Sequence, residues 1–155
     1  MTLAERIATD MKVAMKERQD LCLSTLRMLM AAMQNKTIAK RGASEGGTDA
    51  LTDEELVLVI KAEAKKRRDA IEGFEKGGRV EMAEKERAEM EVLEVYLPAE
   101  LPDAELERIA SEVVAGIPAV TAKEFGRVMG EVMKRVKGQA SGERVSAMVR
   151  RMLEI

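Results

Sequence analysis

The sequence predicts an all-α protein, with an N-terminal helical domain of about four helices over residues 1–97 and a small three-helix domain over residues 98–155. Apolar residues recur at intervals of three and four almost everywhere between the proline and glycine breaks. Strict alternation is missing and β-branched runs are short, so no strand is predicted. A chain of 155 residues allows one ordinary domain or two small ones; the compact Pro98 to Leu101 join suggests two, with a single fused bundle as the alternative.

Thr2 with Glu5 is a capping box, the hydroxyl taking a backbone N–H while the carboxylate reaches back. It opens a helix with Leu3, Ile7, Met11 and Met15 along one face. A second helix starts near Asp20 and carries Leu23, Leu26, Met30 and Met33, and Gly42 to Asp49 is a small-polar loop. Thr52 and Glu55 repeat the capping box before a helix with Leu56, Ile60, Arg67, Ile71 and Phe74 on or near one stripe. That helix ends at Gly77-Gly78. A fourth runs from about Arg79 to Tyr96, with Ala83, Met90, Leu93 and Leu97 inward. Beyond Pro98, Asp103 to Ala115 presents Leu106, Ile109, Ala110 and Val113. Thr121 and Glu124 read as a third capping box, for a helix reaching about Lys137, and Ser141 caps a last helix bearing Val145, Met148, Val149 and Met152.

Composition narrows the chemistry. There is no His, which removes the commonest general base and metal ligand and excludes Ser-His-Asp and Cys-His machinery. One cysteine, Cys22, excludes an internal disulfide or a CxxC knuckle. It sits among leucines and reads as core filling, although a helix start can acidify a thiol. No leader pattern appears in Met1 to Lys16 and no run is long enough to span a bilayer, so a cytoplasmic address and no membrane contact are expected. No catalytic residue, metal or other cofactor is expected. With 26 basic and 28 acidic residues, no global field announces DNA.

Charge is nevertheless uneven. Between Lys123 and Arg151 stand eight Lys/Arg against three Glu. At 100° per residue, Lys123, Arg127 and Lys134 fall opposite Phe125, Met129, Val132 and Val136, with Lys137 close by. Such a stripe can meet phosphates without reading sequence, and it is also what a solvated helix face looks like. Gly126 and Gly130 each cost that helix about 1 kcal/mol relative to Ala. Close internal packing accounts for Gly126, while Gly130, nearer the charged side, leaves contact with a partner open. Lys61 to Arg68 is a second basic cluster, though its charges spread around the helix. The acids Glu84, Glu86, Glu89 and Glu91 are explained by pairing along their own helix with Lys85 and Arg87.

Taken together, Thr25-Leu-Arg-Met-Leu-Met-Ala-Ala-Met-Gln-Asn35, Lys65-Lys-Arg67, Phe74-Glu-Lys-Gly-Gly-Arg79, Tyr96-Leu-Pro98 and Val128-Met-Gly-Glu-Val-Met-Lys134 resemble the YqeY-like family. From about Leu97 the chain is also similar to the tail domain of the B subunit of the tRNA-dependent amidotransferase, through Gly130, Val132, Met133, Lys134, Lys137, Gly138 and Ala140. Pro102 departs from the family pattern, leaving Asp103 as the alternative cap; Ser141 departs too, but still caps. The resemblance implies a noncatalytic protein that binds tRNA or a tRNA-handling complex. Lys123, Arg127, Lys134 and Lys137 would meet phosphates, and Gly130 and Gly138 would allow close approach. A carbon–nitrogen ligase association with glutamine as amido donor is implied for the family, but no catalytic constellation for it stands in this chain. Two alternatives remain: an accessory enzyme on aminoacyl-tRNA using Glu63 or Glu86 with Lys65, and a protein–protein adaptor without RNA. Oligomeric state is not fixed by the sequence.

Overall fold

Thr2 opens α1 (Leu3–Lys16) with both halves of the capping box made: its Oγ1 accepts from the Glu5 N–H at 3.2 Å, and the Thr2 N–H donates to Glu5 Oε2 at 2.7 Å. The computed structural model describes residues 1–43, 50–118 and 120–155. Among these, α2 (Asp20–Ala43), α3 (Asp53–Lys76) and α4 (Val80–Glu94) follow, then α5 (Asp103–Ala115), a 3-10 turn (Ala122–Glu124), α6 (Phe125–Val136) and α7 (Gly142–Leu153). No strand occurs among the described residues, and the protein is all-α. Two compact units are present, Met1–Leu97 and Pro98–Ile155. Of the loop expected from Gly42 to Asp49, Gly42 still belongs to α2, and residues 44–49 lie outside the described residues.

In the first unit, Ile7, Leu26, Leu29, Leu56, Ile60, Leu93 and Tyr96 form the core. Burying them supplies the driving force that the helices lack in isolation. On α1 the inward position falls to Ala14, 1% exposed, and Met15 is 55% exposed. The small methyl group fits where a long side chain would hold the neighbouring helix away. The second full capping box, Thr52 with Glu55, starts α3. Its turn into α4 uses Gly78 at φ +71°, a conformation glycine adopts without a Cβ penalty, and the Arg79 N–H donates to the Phe74 carbonyl at 2.8 Å. Ion pairs Arg87–Glu75 and Arg67–Glu89 then hold α4 antiparallel to α3.

The second unit packs Leu106, Ile109, Ala110 and Val113 of α5 against Val128, Val132 and Val136 of α6 and Val145, Met148 and Val149 of α7. Two local expectations are corrected here. Thr121 does not make a capping box, because the Glu124 N–H donates to the Thr121 carbonyl within the 3-10 turn, and Oγ1 accepts from Lys123 instead. Pro102 is the N-cap of α5 and no side chain caps it; Asp103 Oδ1 accepts from Arg144 Nη2 at 2.9 Å. Ser141 caps α7 through the Arg144 N–H at 3.2 Å.

Candidate nucleic-acid interface

The buried side of α6 sets the position of everything opposite it. With Val128, Val132 and Val136 fully buried and Phe125 and Met129 half-buried against them, the helix turns Arg127, Gly130 and Lys134 outward. Arg127 and Lys134 are separated by about 10 Å along the axis at 1.5 Å per residue. Lys123 is exposed one turn before α6, on the 3-10 turn. Lys137 follows the last helical residue in a left-handed conformation at φ +47°, with Gly138 next at φ +79°. Local carboxylates engage two of these cations loosely: Glu124 lies 4.0 Å from Arg127 and Glu131 lies 3.4 Å from Lys134. Lys123 and Lys137 make no ion pair among the described residues.

Of the two glycines, Gly126 stands differently from the expectation. A Cβ built on Gly126 or on Gly130 meets nothing within 4 Å, so close internal packing does not explain Gly126. Both lie exposed between the cations, leaving a strip of α6 where the backbone is bare.

Folding also redistributes the charge that the sequence count concentrates on residues 123–151. Arg135 pairs with Glu112 at 3.4 Å and Arg151 with Glu107 at 3.5 Å, both acids lying on α5. Arg144 is held by Asp103, by Glu100 at 3.6 Å and by the Leu101 carbonyl at 2.7 Å. The shallow groove between α5 and α7, about 320 Å³, is floored by Leu106, Ala147 and Met148 and bordered by these ion pairs. Arg150, one of the eight basic residues of this segment, lies on α7 outside the α6 stripe. Its guanidinium lies 5.5 Å from the centroid of the Phe125 ring, and it makes no ion pair among the described residues.

Of the two carboxylates expected to act with Lys65, Glu86 lies half-buried on α4, while Glu63 is held in an ion-pair cluster. Glu63 is 8% exposed; its oxygens accept from Lys66 Nζ at 2.7 Å and Arg67 Nη1 at 2.8 Å. Burial pushes its carboxyl up, but the hydrogen bonds from Lys66 and Arg67 outweigh this and leave it below its ordinary value. A general base working near neutrality needs the opposite shift. Glu89, expected on the surface, is 5% exposed and lies 3.5 Å from Arg67 Nε. The one signal in the sequence is Arg67 itself, a cation on an apolar stripe that needs a buried acid beside it, without saying which. No group of three or more His, Cys, Asp or Glu able to hold a metal occurs among the described residues. Cys22 is half-buried; burial, then the charge of Asp10, raises its thiol above the ordinary value, so its helix start does not acidify it. No described helix is long and apolar enough to cross a membrane.

A family model described as Yqey-like protein matches residues 4–153. Among curated relatives, a protein of Pyrenophora tritici-repentis named "Altered inheritance of mitochondria protein 41, mitochondrial" is 30% identical over 138 residues, 87% of this chain and 71% of its own length. A protein of the same name from Eremothecium gossypii is 33% identical over 68% of this chain and 54% of its own. One from Lachancea thermotolerans is 30% identical over 74% and 62%. These names correct the expectation of a cytoplasmic address, since they point to mitochondria. Residues 3–16, whose charges argue against a leader, form α1, and their pattern is that of an amphipathic helix.

Proposed function

Because the chain belongs to the Yqey-like family, we propose that its C-terminal unit is a noncatalytic RNA-binding module, with tRNA or a tRNA-handling complex as the partner class, acting through the exposed face of α6. The observation that carries this reading is the combination of bare backbone at Gly126 and Gly130 with outward Lys123, Arg127, Lys134 and Lys137. Two glycines cost a solvent-exposed helix about 2 kcal/mol together, and no internal neighbour requires them. A phosphodiester chain approaching that strip meets Arg127 and Lys134 along one edge and Lys123 and Lys137 at its two ends, with Met133 on the other edge.

Recognition would run through phosphates and overall shape. The chain has three aromatic residues; Tyr96 is buried and Phe125 and Phe74 are half-buried, so no exposed ring is available for base stacking. Affinity should therefore fall with salt, by a log–log slope of about 0.7–0.9 per phosphate neutralised. Filter binding of total tRNA to the parent chain and to a Lys134→Glu/Lys137→Glu variant tests the assignment. The variant is expected to lose retention, and equal retention by both proteins would sink it.

A further inference from the structure

Of the three arginines on α7 whose guanidinium groups could face a partner, two are consumed internally: Arg144 by Asp103, Glu100 and a carbonyl, and Arg151 by Glu107 and the Met148 sulfur. Arg150 has neither kind of partner. It is exposed, and its guanidinium carbon lies 5.5 Å from the centre of the Phe125 ring, within the range of a cation–π contact. The ring is itself fixed, half-buried against the core of the unit at the first residue of α6.

This arrangement differs from a surface lysine in what it fixes. A lysine offers a mobile point charge, whereas a guanidinium resting on an aromatic ring loses much of its rotamer freedom before any ligand arrives. Its N–H donors keep their planar fork, whose geometry matches two oxygens of one phosphate. Phe125 is the first residue of α6, so the fork stands beside the N-terminal turn of that helix, around it from Arg127 and Lys134.

We propose that Arg150, oriented on Phe125, is a bidentate phosphate-binding residue that carries the interface from α6 onto α7. The inference rests on the RNA-binding reading of α6, and the experiment separates the two. Total tRNA binding is measured on the full chain across a salt series. The arms are the parent, Arg150→Lys, Arg151→Lys, Phe125→Leu, Phe125→Tyr and Lys134→Glu/Lys137→Glu. Arg150→Lys keeps the charge and removes the fork, so affinity should drop by about fivefold to tenfold with the salt slope unchanged. Phe125→Leu should drop by about threefold and Phe125→Tyr should restore the parent value, since only the platform differs. Arg151→Lys, engaged with Glu107, should bind as the parent does.

Binding by Arg150→Lys equal to the parent, or a loss on Arg151→Lys as large as on Arg150→Lys, overturns the fork. Loss on Arg150→Lys with full retention by Lys134→Glu/Lys137→Glu keeps the fork and removes the α6 strip. A parent chain that retains no tRNA overturns both.

Discussion

The Tyr96 hydroxyl donates a 2.6 Å hydrogen bond to Oδ2 of Asp10, tying the residue just beyond α4 to the middle of α1 across 86 positions of sequence. Arg6 adds a second contact, its guanidinium 5.0 Å from the centre of the Tyr96 ring. Because the acceptor is charged and the ring is buried, Tyr96→Phe should cost about 1.5–3 kcal/mol, read as a lower denaturation midpoint. Burial, then the hydrogen bond to Asp10, holds the phenol well above its ordinary value of 10.0. The folded unit therefore keeps a proton that the unfolded chain releases, and stability present below about pH 10 should decline as pH rises past it. In Tyr96→Phe that part of the alkaline decline should be missing.

One guanidinium touches three helices. Arg67 donates to Glu63 of its own helix, lies beside Glu89 of α4, and places Nη2 3.8 Å from the Met28 sulfur of α2. Its Nε is buried without a hydrogen-bond acceptor. Arg67→Met leaves buried Glu89 without its cation and Glu63 with Lys66 alone, and should destabilise the first unit by about 3 kcal/mol. Adding Glu63→Leu and Glu89→Leu should return stability to within about 1 kcal/mol of the parent, because the costly desolvated charges leave together. Urea denaturation of the single and triple variants decides this. Acid acts on the same group: the lowered Glu63 carboxyl contributes stability above its ordinary value of 4.5, and that contribution is lost as pH falls below it.

Gly126→Ala and Gly130→Ala should each stabilise α6 by about 1 kcal/mol, since the added methyl meets open space. Both should weaken tRNA binding if the bare strip is the contact surface. A higher melting temperature with unchanged binding would confine the glycines to a passive role.

Lys137 sits at φ +47°, where a Cβ crowds the following carbonyl. Lys137→Gly should raise thermal stability by about 0.5 kcal/mol while reducing the salt slope of RNA binding by about 0.7–0.9, one phosphate contact. Lys137→Ala removes the same charge and keeps the strain, so melting curves of the two variants separate the contributions.

What the sequence made legible is local. Thr2 with Glu5, Thr52 with Glu55 and Ser141 announce their helices because every participant lies within a few residues. The same motif misleads at Thr121, where a tighter turn claims the Glu124 N–H through the main chain. Glu89 reads as a surface acid until α3 brings Arg67 opposite it. The basic excess between Lys123 and Arg151 shrinks for a related reason: Glu107 and Glu112, well upstream on α5, fold against Arg151 and Arg135. At the strip itself, spacing gave the direction of Arg127 and Lys134. It could not show that Gly126 faces open solvent, since that depends on which neighbours the unit has.

Gly126 and Gly130 also bear on how long the protein lasts. A penalty of about 2 kcal/mol is a factor of about 30 in the ratio of closed to open molecules, a large share of what a unit of this size holds in reserve. A protease that cuts opened chains samples that ratio directly when closing outruns cleavage. The two glycines thus shorten the lifetime of the free chain, and any ligand that binds only the folded unit would lengthen it by mass action.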